Sequence, residues 1–475
     1  LYFILDKFSF NDVKIIKIYS NQHKERKELK KARITNMSKL FYTMFIENLK
    51  TKKMKKLISC IVLLFFSSLI YAQNIAYTKE IISTLASAEY HGRGYYDRGD
   101  YKAANFIKKE YEKLGLASFD NYFQEFSISI NTFPAAMELK VDGKAMQAGQ
   151  DFVVREYSSG NNGTFDVYTI DTVDFSIDKI MSEINALNTE KLFVACDFSY
   201  IYSNRDALKK IQSSDIAGMI MFWDFPPRWY VAHAYFTIPK TILWIDKAAV
   251  NHPIKEINVN VENHFVEDYP TQNVIGYIEG KTHKDSFIVF TAHYDHLGHL
   301  GSDVFYPGAN DNASGVAMLL NLAEYFLAEE KQPDYSLAFM AFAAEEAGLK
   351  GSDYYVNNPL FSMDQIHSVV NLDMIADLCD SVTLQSNKEL SKELEILLKI
   401  NKEKEYIKGF HLEEITPDSD HYSFHKKGIP ACLFIMKGEN FKDYHTPRDN
   451  ADNVYYETYK KLFLLLRDYV NYLNA

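Results

Sequence analysis

The chain has 475 residues, several times the usual domain length of about 100 to 200, which excludes a single small module and leaves room for a large core. Hydrophobic residues make up 47% and charged ones 24%, values that exclude a disordered or fibrous chain. The net charge of −11 is uneven: residues 1–72 hold 15 Lys+Arg against 5 Asp+Glu, leaving 37 against 58 and a body near −21, which repels phosphate backbones and anionic lipid and argues against nucleic-acid or membrane-surface partners.

Residues 1–53 mix Lys, Asn, Ile and Phe without a sustained period and precede a start-like Met54, so they are expected to be an upstream extension. From Met54 the chain reads MKKLISCIVLLFFSSLIYAQ. Two lysines, an apolar run from Leu57 to Tyr71 and the small Ala72 predict a signal peptide over 54–72 and an exported protein, periplasmic, cell-surface or extracellular. The run is shorter than the roughly 20 residues of a spanning helix, which favours cleavage over a signal anchor, the other reading. After Ala72 only Cys196, Cys379 and Cys432 remain, an odd number without metal-knuckle spacing, so no extensive disulfide framework is expected.

Apolar positions Ile81, Ile82, Leu85, Ala104, Ile107, Tyr111 and Leu114 recur at helical spacing on both sides of the turn-rich HGRGYYDRGD, so the mature chain should open with helices. Between 133 and 261 short apolar runs (LFVACDF at Leu192, GMIMFWDF at Gly218, IPKTILWI at Ile238) are separated by polar segments and predict an inserted β-rich domain. After Gln272 strand-like runs alternate with amphipathic helices: NVIGYIEG, SFIVFTAHYD, a helix over 313–329, YSLAFMAFAAEE, HSVVNLDMI, a helix near 389–401, ACLFIM, and a closing helix over 455–473. This alternation predicts an α/β fold, a mostly parallel mixed sheet covered by helices on both faces, built from 73–132 and 262–475.

Chemistry-bearing residues cluster where these runs end, the edge at which open α/β sheets bind ligands. They are His293 and Asp295 after FIVFTA, Asp311 in GANDNASG, Glu345 and Glu346 after LAFMAFAA, Asp373 in VVNLDM, and His445 in YHTP. Each alone has an ordinary reading as a structural or solvated side chain. Together, imidazoles and carboxylates suit zinc, and two ions about 3.5 to 4 Å apart can share a bridging carboxylate. Gly308 and Gly315 flank Asp311, either as plain turn residues or to let backbones approach closely. GYIEGKT at Gly276 is one residue too short for a phosphate-cradling loop. His296 and His299, in DHLGHLG, read as unligated loop histidines, and no triad surrounds Ser419.

The motifs TAHYDHLG, PGANDNASGVA, AAEEAGLKGS, NLDMI, SDHYSF and DYHTPRDNADNV, in this order, resemble the M28 zinc peptidases, secreted or lumenal aminopeptidases and carboxypeptidases with two co-catalytic zinc ions. Carried over by position, the resemblance implies His293 and Asp373 as terminal ligands of one zinc, Glu346 and His445 as those of the other, and Asp311 as the bridge, often followed by a cis peptide in this family. It implies Glu345 as general base toward a metal-activated water, Asp295 as the carboxylate that orients the ligating imidazole, His421 as a substrate-positioning residue, and the HGRG arginine, Arg93, as structural. The segment 133–261 resembles, more loosely, the protease-associated domain that many members carry. The implied function is a zinc-dependent exopeptidase, an aminopeptidase acting on peptides. The alternatives are a glutaminyl-cyclase-like acyltransferase with one zinc and a metal-free receptor-like binding protein, the latter opposed by the filled ligand positions. The aromatics of FWDFPPRWYVAHAYF, Trp229 among them, read as core or as an apolar wall over the site that would favour apolar amino-terminal residues.

Overall fold

The computed structural model describes residues 73–172, 176–251, 253–328, 332–386 and 392–474. The expected upstream extension and signal peptide lie outside them. Residues 73–475 form one compact unit. Helices Ile75–Leu85 and Gly99–Leu114 open it and bury Ile81, Ile82, Leu85, Ala104, Ile107 and Tyr111, the face read from the sequence. The second helix ends on Gly115 in the left-handed conformation, whose N–H closes on Tyr111 O, as a glycine C-cap does.

Among the described residues eighteen strands follow: β1 (Phe123–Thr132), β2 (Met137–Val141), β3 (Lys144–Met146), β4 (Phe152–Val154), β5 (Asn161–Thr169), β6 (Leu192–Asp197), β7 (Gly218–Trp223), β8 (Thr241–Asp246), β9 (Glu256–Val261), β10 (His264–Ile278), β11 (His283–His293), β12 (Gly298–Leu300), β13 (Val304–Tyr306), β14 (Tyr335–Phe342), β15 (Ile366–Leu372), β16 (Ser381–Ser386), β17 (Gly409–Glu413) and β18 (Ala431–Ile435). One eight-stranded sheet has the order β1-β10-β14-β11-β15-β18-β16-β17. Its central strands β14, β11, β15 and β18 are parallel, while β1, β10 and β16 join antiparallel. The central runs are apolar throughout because helices cover both faces: β14 is buried from Ser336 to Phe342. The helix Ser314–Ala328 packs against β11 and β14 and buries residues on all its faces, as an apolar-all-round helix must.

The second sheet, order β3-β2-β9-β5-β6-β7-β8-β4, is made wholly from 137–261 and mixes parallel neighbours β5 to β8 with antiparallel edges. The expected β-rich insertion is present as this eight-stranded sheet, and it also carries the short helices Ile177–Asn185, Phe198–Ser203 and Arg205–Gln212. In the first sheet the expected helices are found at Ser314–Ala328, Lys392–Lys404 and Glu457–Leu473. The start expected for the middle one lies outside the described residues. No helix among the described residues is long and apolar enough to cross a membrane. Cys196, Cys379 and Cys432 are free.

Candidate metal centre

The four parallel strands deliver their carboxyl ends to one place. His293 is the last residue of β11, Glu345 and Glu346 follow β14, Asp373 follows β15, and His445 lies on the loop after β18. Asp311 comes from the turn that leads into the helix Ser314–Ala328, and its peptide bond to Asn312 is cis. Both flanking glycines are required for space: Gly308 has φ +61° with room for no side chain beside Asp311 O and Arg93, and a Cβ on Gly315 would lie 2.5 Å from Leu372 O. Close backbone approach, rather than turn formation alone, therefore explains Gly315.

The ligand atoms converge. His293 Nε2 is 3.3 Å from Asp311 Oδ1 and 3.3 Å from Asp373 Oδ1. His445 Nε2 is 3.3 Å from Asp311 Oδ2 and 3.2 Å from Glu346 Oε2. The two oxygens of Asp311 thus face two separate groups: His293–Asp311–Asp373 and His296–Asp311–Glu346 are candidate metal clusters of buried residues, and His445 reaches the second pair of carboxylates at the distances above. Two ligands of one tetrahedral ion, each at about 2.0–2.1 Å, lie about 3.3–3.4 Å apart, so the observed spacing fits zinc in each. Buried carboxylates also require a cation, and Arg93, the buried cation nearby, spends its donors on backbone carbonyls.

The surrounding bonds hold the ligands in place. His293 Nδ1 donates to the backbone carbonyl of Asp295 at 3.1 Å, leaving Nε2 free toward the carboxylates. The Asp295 carboxylate is 3.8 Å from that ring and instead accepts from Glu345 N, Glu346 N and Tyr95 Oη. The expected carboxylate–imidazole bond is therefore not made: Asp295 orients His293 with its main chain and the two glutamates with its side chain. Ser419 Oγ donates to Asp373 Oδ2 at 2.7 Å and accepts from Asn371 Nδ2 at 2.7 Å. Asp449 accepts from Asn310 N and Asp311 N at 2.8 and 3.0 Å.

His296, read from the sequence as a plain loop histidine, is fully buried in the second cluster. Its Nδ1 lies 2.8 Å from Glu346 Oε1 but 3.8 Å from Asp311 Oδ2. The first is a hydrogen-bond distance, and His445 meets both carboxylates at ligand spacing, so His296 fits a group that fixes Glu346 better than a ligand. His421 is buried too. Its Nε2 donates to Gln385 Oε1 at 3.2 Å, and Gln385 Nε2 donates to Asp418 Oδ2 at 2.8 Å, so His421 reaches the cleft only through these partners. The sequence reading named His296 and Ser419 without assigning either a bond to the centre, and did not single out Asp449, because hydroxyl, carboxylate and imidazole in loops carry no pattern that marks their distant partners.

The electrostatics separate the glutamates. Burial raises the Glu345 carboxyl, and the negative Glu346, Asp373 and Asp420 outweigh His293 to hold it well above the usual range. Burial also acts on Glu346, but His445 and hydrogen bonds from His296 and His445 overcome it and pull the group down to about 2. Burial opposes charging of His445, yet Glu346 and Asp311 raise it to about 9.

A cleft of about 360 Å³ opens onto the clusters, its other wall formed by Met374, Pro417, Asp418, Ile435, Lys437, Phe441 and Tyr444. Trp229 is not part of it: 3% exposed, it packs on Phe133 and Tyr306 and donates Nε1–H to Val154 O. Trp223, partly buried, stacks on Phe198 and packs tilted on Trp244 within the second sheet's layer. Trp229 is core, and Trp223 packs against the core. Tyr230 does touch the centre, edge-on to the His445 ring at 4.8 Å.

Residues 273–470 match the model of Peptidase family M28. The zinc aminopeptidase BSAP from Bacillus subtilis superposes with a TM-score of 0.61 at 20% identity, over 85% of this chain and 96% of that one. The aminopeptidase from Aneurinibacillus sp. strain AM-1 gives 0.59 at 20%, over 86% and 95%. The chain has the M28 peptidase fold. In sequence, Aminopeptidase YwaD of Bacillus subtilis is 33% identical over 193 residues, 39% of this chain and 40% of that protein. The chain thus matches about two fifths of that relative's length. A probable leucine aminopeptidase of Trichophyton verrucosum is 24% identical, over 52% and 69%. The M28 match takes in every residue of both clusters and leaves out 137–261.

Proposed function

We propose that the chain is an exported zinc-dependent exopeptidase, an aminopeptidase, with His293 and Asp373 on one ion, Glu346 and His445 on the other and Asp311 bridging. The observation that carries this is the pair of ligand clusters sharing Asp311, with Glu345 Oε2 4.0 Å from His293 Nε2. Bound zinc would supply a Lewis acid and a water of lowered pKa. Glu345 takes the proton of the attacking water as its oxygen bonds to the scissile carbonyl carbon, and returns it to the amine as the C–N bond breaks. The rest of the chain orients: Ser419 holds Asp373, His296 holds Glu346, and Asp449 holds the backbone of Asp311. The matched relatives are named aminopeptidases, which supports the amino-terminal direction.

The 137–261 layer stands where a protease-associated domain would, and its contacts with the His445 loop support a role in shaping the site. Export rests on the sequence of 54–72. The test is a zinc-replete preparation given peptides with amino-terminal glutamine and other residues. Release of the amino-terminal amino acid is expected. Ring closure of glutamine without release identifies a cyclase, and neither product identifies a binding protein.

A further inference from the structure

We propose that Lys437 binds a carboxylate on the substrate, so that the cleft selects peptides that present one opposite the metal clusters, an inference that rests on peptide hydrolysis at those clusters. The cleft is lined by the cluster residues His293, Asp311, Glu345, Glu346, Asp373 and His445, and among its other lining residues Lys437 is the one lysine or arginine. Zinc held by the clusters would offset their carboxylates, which leaves Lys437 as the cationic side chain outside the ligand set that can pair with a substrate carboxylate.

The position of Lys437 is fixed from behind. It lies two residues beyond Ile435, at the end of β18, and Met436 between them is fully buried. The Asp377 carboxylate accepts from Gly438 N and Asn440 N, each at 2.8 Å, which clamps the turn that follows. The ammonium itself is little engaged. Its nearest acid is Glu413 Oε2 at 3.6 Å, with side chains 37% and 44% exposed, a weak solvent-screened pair that a substrate carboxylate can replace at small cost. Asp418, the other charged residue outside the clusters, accepts from Gln385 Nε2 at 2.8 Å. A cleft of about 360 Å³ is at the small end of ligand pockets and suits one or two residues. The carboxylate can therefore be the carboxyl terminus of a dipeptide or an acidic amino-terminal side chain.

Binding measured with turnover disabled separates this from the catalytic reading. Zinc-loaded Glu345→Gln protein is titrated calorimetrically with Leu-Gly against Leu-Gly-amide, and with Glu-Gly-amide against Gln-Gly-amide, with Lys437 intact, as Lys437→Met and as Lys437→Arg. With Lys437 intact the acid of at least one pair should bind about fivefold tighter than its neutral partner. Lys437→Met should erase that ratio and Lys437→Arg keep it. A changed ratio in the first pair assigns the carboxyl terminus, in the second the side chain. Ratios within twofold between Lys437 and Lys437→Met in both pairs, or no binding of any peptide, overturn the proposal. Absent hydrolysis by the native protein with these ratios intact would overturn the peptidase reading alone.

Discussion

Replacing Arg93 tests how the bridging loop is held. The guanidinium is fully buried and all five of its N–H groups reach backbone carbonyls: Nε to Tyr294 at 2.7 Å, Nη1 to Leu85 and Pro307 at 3.0 and 2.6 Å, Nη2 to Gly308 and Asp311 at 2.7 and 3.0 Å. Burial pushes its pKa down to about 10 against the pull of Asp311, Asp449, Asp295 and Glu346, so it stays charged at neutral pH. Arg93→Met leaves four carbonyls without donors, since Gly308 O still accepts from Ala313 N at 3.3 Å, and at about 1 kcal/mol each, the low end for a buried unsatisfied group, the loss is about 4 kcal/mol. That approaches the whole stability of a marginal domain. Arg93→Lys can serve at most three of the four, leaving a cost of about 1 kcal/mol or more, and is the variant to carry into metal binding. Urea denaturation in chelator, followed by tryptophan fluorescence, measures both losses. Zinc titration of the lysine variant should show affinity weakened about 10- to 100-fold, the scale for disturbing what supports a ligand, because three of the five carbonyls belong to the 307–311 turn. A methionine variant within 1 kcal/mol of the native chain, or a lysine variant with native zinc affinity, refutes the reasoning.

Two further outcomes follow from the site. Glu345→Gln should keep its zinc while turnover falls about 10²- to 10⁴-fold, the loss expected for a general base, whereas Glu346→Gln should lower zinc content by atomic absorption; the reverse pattern would exchange their roles. His421 is held neutral by burial, with its pKa pushed down to about 4, so the unfolded chain takes the proton first as pH falls. The stability it contributes is complete above pH about 6.5 and declines toward pH 4 by about 3 kcal/mol. Urea midpoints for His421→Asn should accordingly fall less between pH 7 and pH 4.5 than those of the native chain, and parallel curves would show that His421 does not carry this dependence.

How far the sequence could be read depended on whether a residue's environment was local. The cores of β11, β14, β15 and β18 stood out because strands covered on both faces are apolar without interruption, and His293, Glu345, Glu346 and Asp373 come at or just past such runs, whereas Asp311 and His445 lie in loops and were marked by their motifs. β1, β16 and β17 went unread. Gly409–Glu413 is a sheet edge with exposed His411, Leu412 and Glu413, and FQEFSISINT alternates polar and apolar, so neither has an apolar run to mark it. The helices of the second layer were missed for a related reason: Phe198–Ser203 and Arg205–Gln212 are too short to establish a period. The same limit applied to the site's supports. Four of the five carbonyls that Arg93 binds are more than 200 positions away in sequence, and Ser419 lies 46 residues from the Asp373 it bonds. No spacing rule connects such pairs; only the folded sheet does.

The two layers meet at a ligand. His445 has φ +58°, a left-handed backbone that a non-glycine residue keeps only when its surroundings hold it there. The second layer supplies that restraint: Trp229 N donates to His445 O at 3.2 Å, the Tyr230 ring abuts the imidazole, and Arg228 Nη2 donates to Phe441 O at 2.9 Å while its guanidinium lies over Phe441 and Tyr444. Tyr444 stacks on the His445 ring at 3.7 Å and is itself 6.4 Å from Tyr230, edge-on. The imidazole is thus packed in a corner made by one aromatic from each layer, and its Nε2 is 3.3 and 3.2 Å from Asp311 and Glu346. Phe441 and Tyr444 also line the cleft. The segment 228–230 therefore fixes a metal ligand and a substrate wall at once, although the strands that carry it pair only within the second sheet. The centre is completed by a layer outside the M28 match, which makes the 137–261 segment a part of the site's construction and explains why its most buried aromatics are packing residues: they must anchor the strap that reaches His445.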